Sequence, residues 1–357
     1  NEFLEVFFID SEKRLWIAFE TQLIIARESS KGGIEVIKRL EIENVRVVKE
    51  DKDHNIWLGT WDGLYKTSFN DQKITIDKVR ASNVPDIYIL SSGDILFTAF
   101  GEGIFIIEEG DPVPRLVDLP EELGLVPSTS VTLFEDSRHR VWLGSYGNGA
   151  ALFHDGVYSH LYKGNGLPSN NVLCFQEDLS GDIWMSTSNG ITRFKVTEND
   201  TLISNYFKYD GTLGDQFHEK AGCKSSDGRI FFGGNHGLTF FNPSAIVPNL
   251  TPPLINIEDL KIFNQSVQPA PRGSVLRKGI SHTSAITLNH KQTTVSLDYA
   301  GIDFSAPAKL TYRYMLEGFD KQWNNVGSFR RATYSNIPRG KYTFYVSAIN
   351  GDGVESI

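Results

Sequence analysis

Short apolar runs of four or five residues, each bounded by polar or glycine-bearing turns, fill the first two thirds of the chain. Examples are Ile56-Trp57-Leu58-Gly59, Val141-Trp142-Leu143-Gly144 and Ile183-Trp184-Met185-Ser186. No stretch there holds apolar residues at sustained helical spacing between caps, so the pattern predicts short antiparallel strands. The last third reads differently. Leu310, Tyr312, Tyr314 and Leu316 alternate with Thr311, Arg313 and Met315; Val295, Leu297 and Tyr299 alternate likewise, as do Tyr342, Phe344, Val346 and Ala348. Period-two burial across several longer strands predicts a small β-sandwich. The proline-bearing stretch around Pro248, Pro252 and Pro253 divides the two patterns.

The first pattern is periodic. An acid or serine stands six residues before an aromatic anchor and a glycine turn follows it, as in Asp51…Trp57…Gly63 and Asp178…Trp184…Gly190. The anchors are Trp16, Trp57, Phe97, Trp142, Trp184 and Phe231, at spacings of 41, 40, 45, 42 and 47 residues. A repeat of this length carrying about four strands has the size of one propeller blade. The anchors hold one frame position in successive repeats, which marks them as packing between blades and not as a sugar-stacking platform.

These residues also carry a resemblance. The pattern D-x-x-G-x-[IV]-W-[IL]-G-T-x-x-G-L at Trp57, Trp142 and Trp184 resembles the repeat of two-component regulator propellers, which form the periplasmic sensor region of hybrid histidine kinases in Bacteroidetes. The first repeat is degraded, with Gln22 in place of the glycine, and Phe231 to Pro243 is similar to the terminal repeat. Tyr312 to Trp323 and Ala332 to Phe344 resemble the three-tyrosine domain that follows such propellers. The expected architecture is all-β: a β-propeller over residues 1–247, with about six four-stranded repeats visible as part of a seven-bladed ring, then an immunoglobulin-like β-sandwich over 248–357. The resemblance implies a periplasmic portion of an inner-membrane protein, with further blades upstream and a kinase with a DNA-binding regulator downstream. Membrane attachment would come only through segments absent here.

Composition narrows the chemistry. The 357 residues are 40% hydrophobic and 22% charged, ordinary for a globular chain, and the net charge of −9 disfavours a nucleic-acid partner. Cys174 and Cys223 lack CxxC spacing and leave their pairing undecided. Asp51-Lys-Asp53-His-Asn55 begins like a calcium loop but lacks its sixth-position glycine and bidentate Glu, and it coincides with a repeat hairpin. The histidines show no metal-ligand spacing, neither a G-x-S-x-G elbow nor a phosphate loop appears, and Glu108-Glu109 and Glu121-Glu122 read as solvated loop charges. No metal, cofactor or catalytic residue is expected.

Topology then selects a face. With strands A to D running outward from the centre and the anchor on B, the B–C turns and D–A connections emerge together. The B–C turns carry Trp61, Asp62, Phe100, Glu102, Tyr146, Asn148, Ser188, Asn189, Asn235 and His236; the D–A connections carry Pro127-Ser128-Thr129, Pro168 to Asn171 and Asp215 to His218. Aromatic rings beside Asn, Ser, Asp and His suit stacking on sugar rings and hydrogen bonding to their hydroxyls. The expected function is a sensor module that binds a glycan-derived oligosaccharide, forms a homodimer through the sandwich and controls polysaccharide-utilisation genes. The alternatives are a propeller lyase or hydrolase using Asp62, Glu102, Tyr146 and His236, and a protein-interaction scaffold.

Overall fold

The computed structural model describes residues 3–29, 32–70, 73–120, 129–154, 156–196 and 201–356. Two compact units divide the chain, Asn1–Pro243 and Ser244–Ile357. Every sheet is antiparallel, and the only helices among the described residues are single 3-10 turns.

Six sheets follow one another in the first unit, each a meander in which consecutive strands pair. Strand A is Leu4–Ile9, Val45–Glu50, Ile87–Ile89, Ser130–Glu135, Val172–Glu177 and Phe217–Lys224 in the six sheets. The anchor lies on strand B: Arg14–Phe19, Ile56–Thr60, Ile95–Ala99, Val141–Ser145, Ile183–Thr187 and Ile230–Gly234. The sixth sheet has three strands, ending at Gly237–Phe241.

The six-residue spacing from acid to Trp has a direct physical cause. The A–B hairpin folds the acid back beneath the anchor, and the indole Nε1–H donates to it in Trp16–Asp10 (2.9 Å), Trp57–Asp51 (2.8 Å), Trp142–Asp136 (2.8 Å) and Trp184–Asp178 (2.9 Å). The other carboxylate oxygen accepts turn N–H groups, from Asp53 and Asn55 in sheet two and from Arg138 and Arg140 in sheet four. One buried acid thus satisfies both the turn and the indole, which would each be costly to bury unpaired. The calcium-like segment at Asp51 is this hairpin, with its first carboxylate fully engaged.

Neighbouring sheets pack through the anchors. Trp142, Ala150 and Leu152 bury against Phe175, Ile183 and Met185 of the next sheet, and Trp16 and Ile25 against Val48 and Leu58. Two residues past the Trp the strand passes under that neighbour: a Cβ on Gly144 would lie 2.7 Å from the Val172 carbonyl oxygen, and one on Gly59 2.7 Å from that of Val84. A second repeated contact latches the A–B turns. Glu50, Glu135 and Glu177, each ending a strand A, accept both the backbone N–H and the hydroxyl of a serine in the preceding sheet: Ser11, Ser91 and Ser137.

Two faces repeat this packing chemistry with no neighbouring sheet among the described residues. Phe7, nine residues before its anchor, is 53% exposed, whereas its counterparts Val48, Leu133 and Phe175 are at most 5% exposed. On the sixth sheet, Leu238 and Phe240 pair with Gly233 and Phe231 as Ala150 and Leu152 pair with Gly144 and Trp142. They are 53% and 58% exposed where Ala150 and Leu152 are buried.

In the second unit, Leu254–Ile262, Thr294–Ile302 and Arg331–Ser335 form one sheet with Gln265–Ser266. Thr311–Glu317 lies between Asn324–Gly327 and Thr343–Ile349 in another. Tyr299, Ala332 and Tyr334 from the first sheet share a core with Tyr312, Leu316 and Ala348 from the second. Tyr334 donates its hydroxyl to Asp320 at 2.6 Å and Tyr312 accepts the Gly301 N–H at 3.0 Å, so the buried phenols are satisfied.

Candidate functional site

Five of the six strands A share an irregularity. Their ladders skip register at Leu4/Val6, Val45/Val47, Ser130/Thr132, Val172/Cys174 and Phe217/Gly222. A bulge releases the extra residue from strand alternation and re-aims its side chain. The released residues include Glu5, Arg46, Leu173, His218, Glu219 and Lys220, and all six line a cup of about 350 Å³. Trp61, Tyr146, Asn44 and Phe217 complete its wall.

Polar contacts in the cup bridge distant sheets. Arg46 Nη2 donates to Glu219 Oε2 at 2.8 Å, and the Tyr146 hydroxyl donates to the other Glu219 oxygen, so sheets two, four and six meet on one carboxylate. Lys220 is half-buried, its ammonium donating to the carbonyls of Arg46 (2.9 Å) and Pro85 (2.6 Å). Nearby Asp86 accepts the Leu133 N–H at 2.8 Å. Burial pushes the Asp86 carboxyl upward, partly opposed by the fields of Lys220 and Lys49; burial pushes the Lys220 ammonium downward, partly opposed by Asp86. Lys220 thus forms the floor of the cup, held by the carbonyls of Arg46 and Pro85.

The residues expected from sequence divide into two groups. Trp61, Tyr146 and His218 come together in the cup. The remaining turns lie against the D–A connections, with N–H groups of Phe100, Tyr146, Ser188 and Asn235 donating to the carbonyls of Asn83, Thr129, Asn171 and Gln216. Within those turns Asp62 accepts Thr60, Tyr65 and Lys78, and the Lys78 hydrogen bond holds its carboxyl down at about 2. Glu102 accepts the Ser82 hydroxyl and pairs with Arg80. The Asn148 carbonyl meets His160 Nε2 at 2.6 Å, and the Ser188 hydroxyl meets Ser169 at 2.8 Å. Asn189 donates to Thr187 Oγ1 and the Pro168 carbonyl, Asn235 donates to the Gln216 side chain, and the exposed His236 sits over Gly214. Phe100 is exposed at its turn.

Elsewhere, Glu108 and Glu109 pair with Arg115 and Lys52. Glu121, Glu122, Pro127 and Ser128 lie outside the described residues. Burial pushes the Cys174 thiol up to about 12, which keeps it inert; Cys223 is exposed, and both are free.

The sequence reading overlooked Glu5, Arg46, Glu219 and Lys220. A signal for three of them was available. Glu5, Arg46, Asp86, Val131, Leu173 and Lys220 each stand eleven residues before their anchor, a column in which charge recurs inside an otherwise apolar inner strand.

Known proteins resemble the chain along most of its length. Residues 303–357 match the Y_Y_Y domain. Histidine kinase P4 from Formosa agariphila is 27% identical over 94% of this chain and 28% of its own length. The extracellular domain of the hybrid two component system BT3049 from B. thetaiotaomicron superposes with a TM-score of 0.72 at 25% identity, covering 98% of this chain and 48% of that one. Virginiamycin B lyase from Staphylococcus aureus is alike in fold alone, with a TM-score of 0.50 at 14% identity over 69% of this chain and 88% of the lyase. The chain thus spans less than half the length of the sensor proteins it matches. No helix among the described residues is long and apolar enough to cross a membrane. Sequence, fold and the matched C-terminal segment together make this chain similar to the extracellular sensor-type domains of Bacteroidetes hybrid two-component systems.

Proposed function

We propose that the chain is the ligand-sensing part of a hybrid histidine kinase and that it binds a glycan-derived oligosaccharide at the cup. The cup itself carries this reading. Exposed Trp61 and Tyr146 offer ring faces beside the Arg46–Glu219 pair, Asn44 and His218, a mixture of donors and acceptors suited to sugar hydroxyls. Among the carboxylates once considered for catalysis, Asp62 is tied to Lys78 and Glu102 to Arg80, an arrangement that suits binding better than proton transfer.

In the same reading the six sheets belong to a seven-bladed propeller spanning about 1–247. A further sheet of the same repeat covers Phe7 on one side and Leu238 and Phe240 on the other. The unit that follows is the immunoglobulin-like sandwich; it pairs with its copy in a homodimer and passes the ligand signal across the membrane to control polysaccharide-utilisation genes. An oligosaccharide array followed by calorimetry tests the binding step. Trp61→Ala should weaken the best ligand by about 1–3 kcal/mol, the value of one stacked aromatic contact with its buried area. Chromatography of the same mixtures should show intact ligand; release of product would return the lyase or hydrolase reading. An unchanged affinity in Trp61→Ala would remove the cup as the site.

A further inference from the structure

Resting on the cup as the sugar site, we infer that its ligand carries no carboxylate or sulfate where it meets Arg46, Glu219 and Glu5. The observation is that each cation around the cup already has a partner. Arg46 is paired with Glu219 at 2.8 Å, and that carboxylate is further fixed by the Tyr146 hydroxyl. Lys220 is half-buried, its ammonium donating to two backbone carbonyls with Asp86 close by. On the surrounding turns Lys78 is paired with Asp62 and Arg80 with Glu102. Lys49 lies 5.8 Å from the Tyr88 ring and within the field of Asp86.

The anions are not balanced in the same way. Glu5 reaches the cup as an exposed carboxylate with no ion pair among the described residues. An anionic sugar would therefore approach Glu5 and would have to displace Glu219 from Arg46 to gain a cation. Displacement leaves Glu219 beside the incoming anion with only Tyr146 as partner, and like charges at this range cost binding. Hydroxyl groups avoid both penalties. They can donate to Glu5 and Glu219 and accept from Arg46 without breaking the pair, while a pyranose face lies against Trp61.

Matched oligosaccharides isolate the charge. Calorimetry on the full-length protein that contains this chain would compare an oligogalacturonide with its carboxyl-reduced galactan counterpart, and an oligomannuronate with the corresponding mannan. Whichever backbone binds, the neutral member should bind at least about fivefold more tightly, with Kd changing less than about twofold between about 50 and 300 mM NaCl. Glu5→Lys, at an exposed position that tolerates the change, should shift the acid-to-neutral affinity ratio at least about threefold toward the acid. An acid member that binds as tightly as its neutral counterpart, with affinity falling steeply in salt, overturns this inference while leaving the sugar site standing. Failure of both members of every pair, and of the wider array, removes the sugar reading and this inference with it.

Discussion

Asp136 offers the most direct test of how the repeat holds itself together. Its side chain is fully buried and accepts four hydrogen bonds: from Trp142 Nε1 at 2.8 Å, Arg140 Nε at 2.6 Å, and the backbone N–H groups of Arg138 and Arg140 at 3.0 Å each. Asp136→Ala would leave an indole N–H, two turn amides and a guanidinium that is itself only 8% exposed without their acceptor. Losing one member of a buried charged pair costs about 3–5 kcal/mol. The turn amides can recover part of their loss from water, so the sum should stay near the middle of that range, about 4 kcal/mol. For a unit of this size that corresponds to roughly 8–16 °C in Tm. Trp142→Phe keeps most of the buried ring area but removes one donor, and should cost about 2 kcal/mol. Denaturant titration of both single variants and the double variant closes a cycle, with an expected coupling on the order of 1.5–3 kcal/mol. Asp136→Ala within about 1 kcal/mol of wild type, or a coupling near zero, would refute the view that one acid serves both the hairpin and the anchor.

Other consequences can be checked with single changes. Burial raises the Glu50 carboxyl, but the Ser11 and His54 hydrogen bonds outweigh it and leave it below its ordinary value. A depressed folded pKa contributes stability above the unfolded value of about 4.3 and loses it as pH falls through the folded one. Ser11→Ala should therefore lower Tm at pH 7 and converge on wild type in acid, as thermal melts from neutral to acidic pH would show. Gly144→Val places a branched side chain against the Val172 carbonyl and Thr132 and should cost at least about 1–3 kcal/mol by denaturant titration. For the relay, a flexible insertion belongs after the exposed Val247 and not at Asn249, which is tied into the second unit through Asp352, Asp303 and Asn350. If the proposed sensing function holds, such an insertion in the full-length protein should preserve sugar affinity and abolish reporter induction; normal induction would leave the second unit as a spacer.

The structure also explains which parts of this molecule could be read from its sequence. The anchors at Trp16, Trp57, Trp142 and Trp184 were legible because each repeat must solve the same packing problem with the same residues. Their acids were legible because a hairpin of fixed length places one carboxylate under one indole. Strand alternation likewise assigned Trp61, Tyr146 and His218 to one face without any coordinates. Glu219 could not be found that way. Its partners Arg46 and Tyr146 lie 173 and 73 residues away, and they meet it only because the fold brings sheets two, four and six together at the cup.

The bulged column shows why a repeat can conceal its site. Flanking positions in strand A, such as Val45 and Val47 or Val172 and Cys174, stay in the ladder and are buried. Packing therefore restricts their chemistry from sheet to sheet. The residue between them leaves the ladder, so it can be Glu5, Arg46 or Leu173 at the cup and Val131 elsewhere without changing the flanking pairs. Alternation rules treat that residue as one more strand position and assign a charge there to solvent. A bulge at the head of the strand reverses the assignment. In a repeat of this kind, variation of charge within the bulged column is thus the mark of the released position, and it points to the cup more directly than the aromatic residues of the turns do.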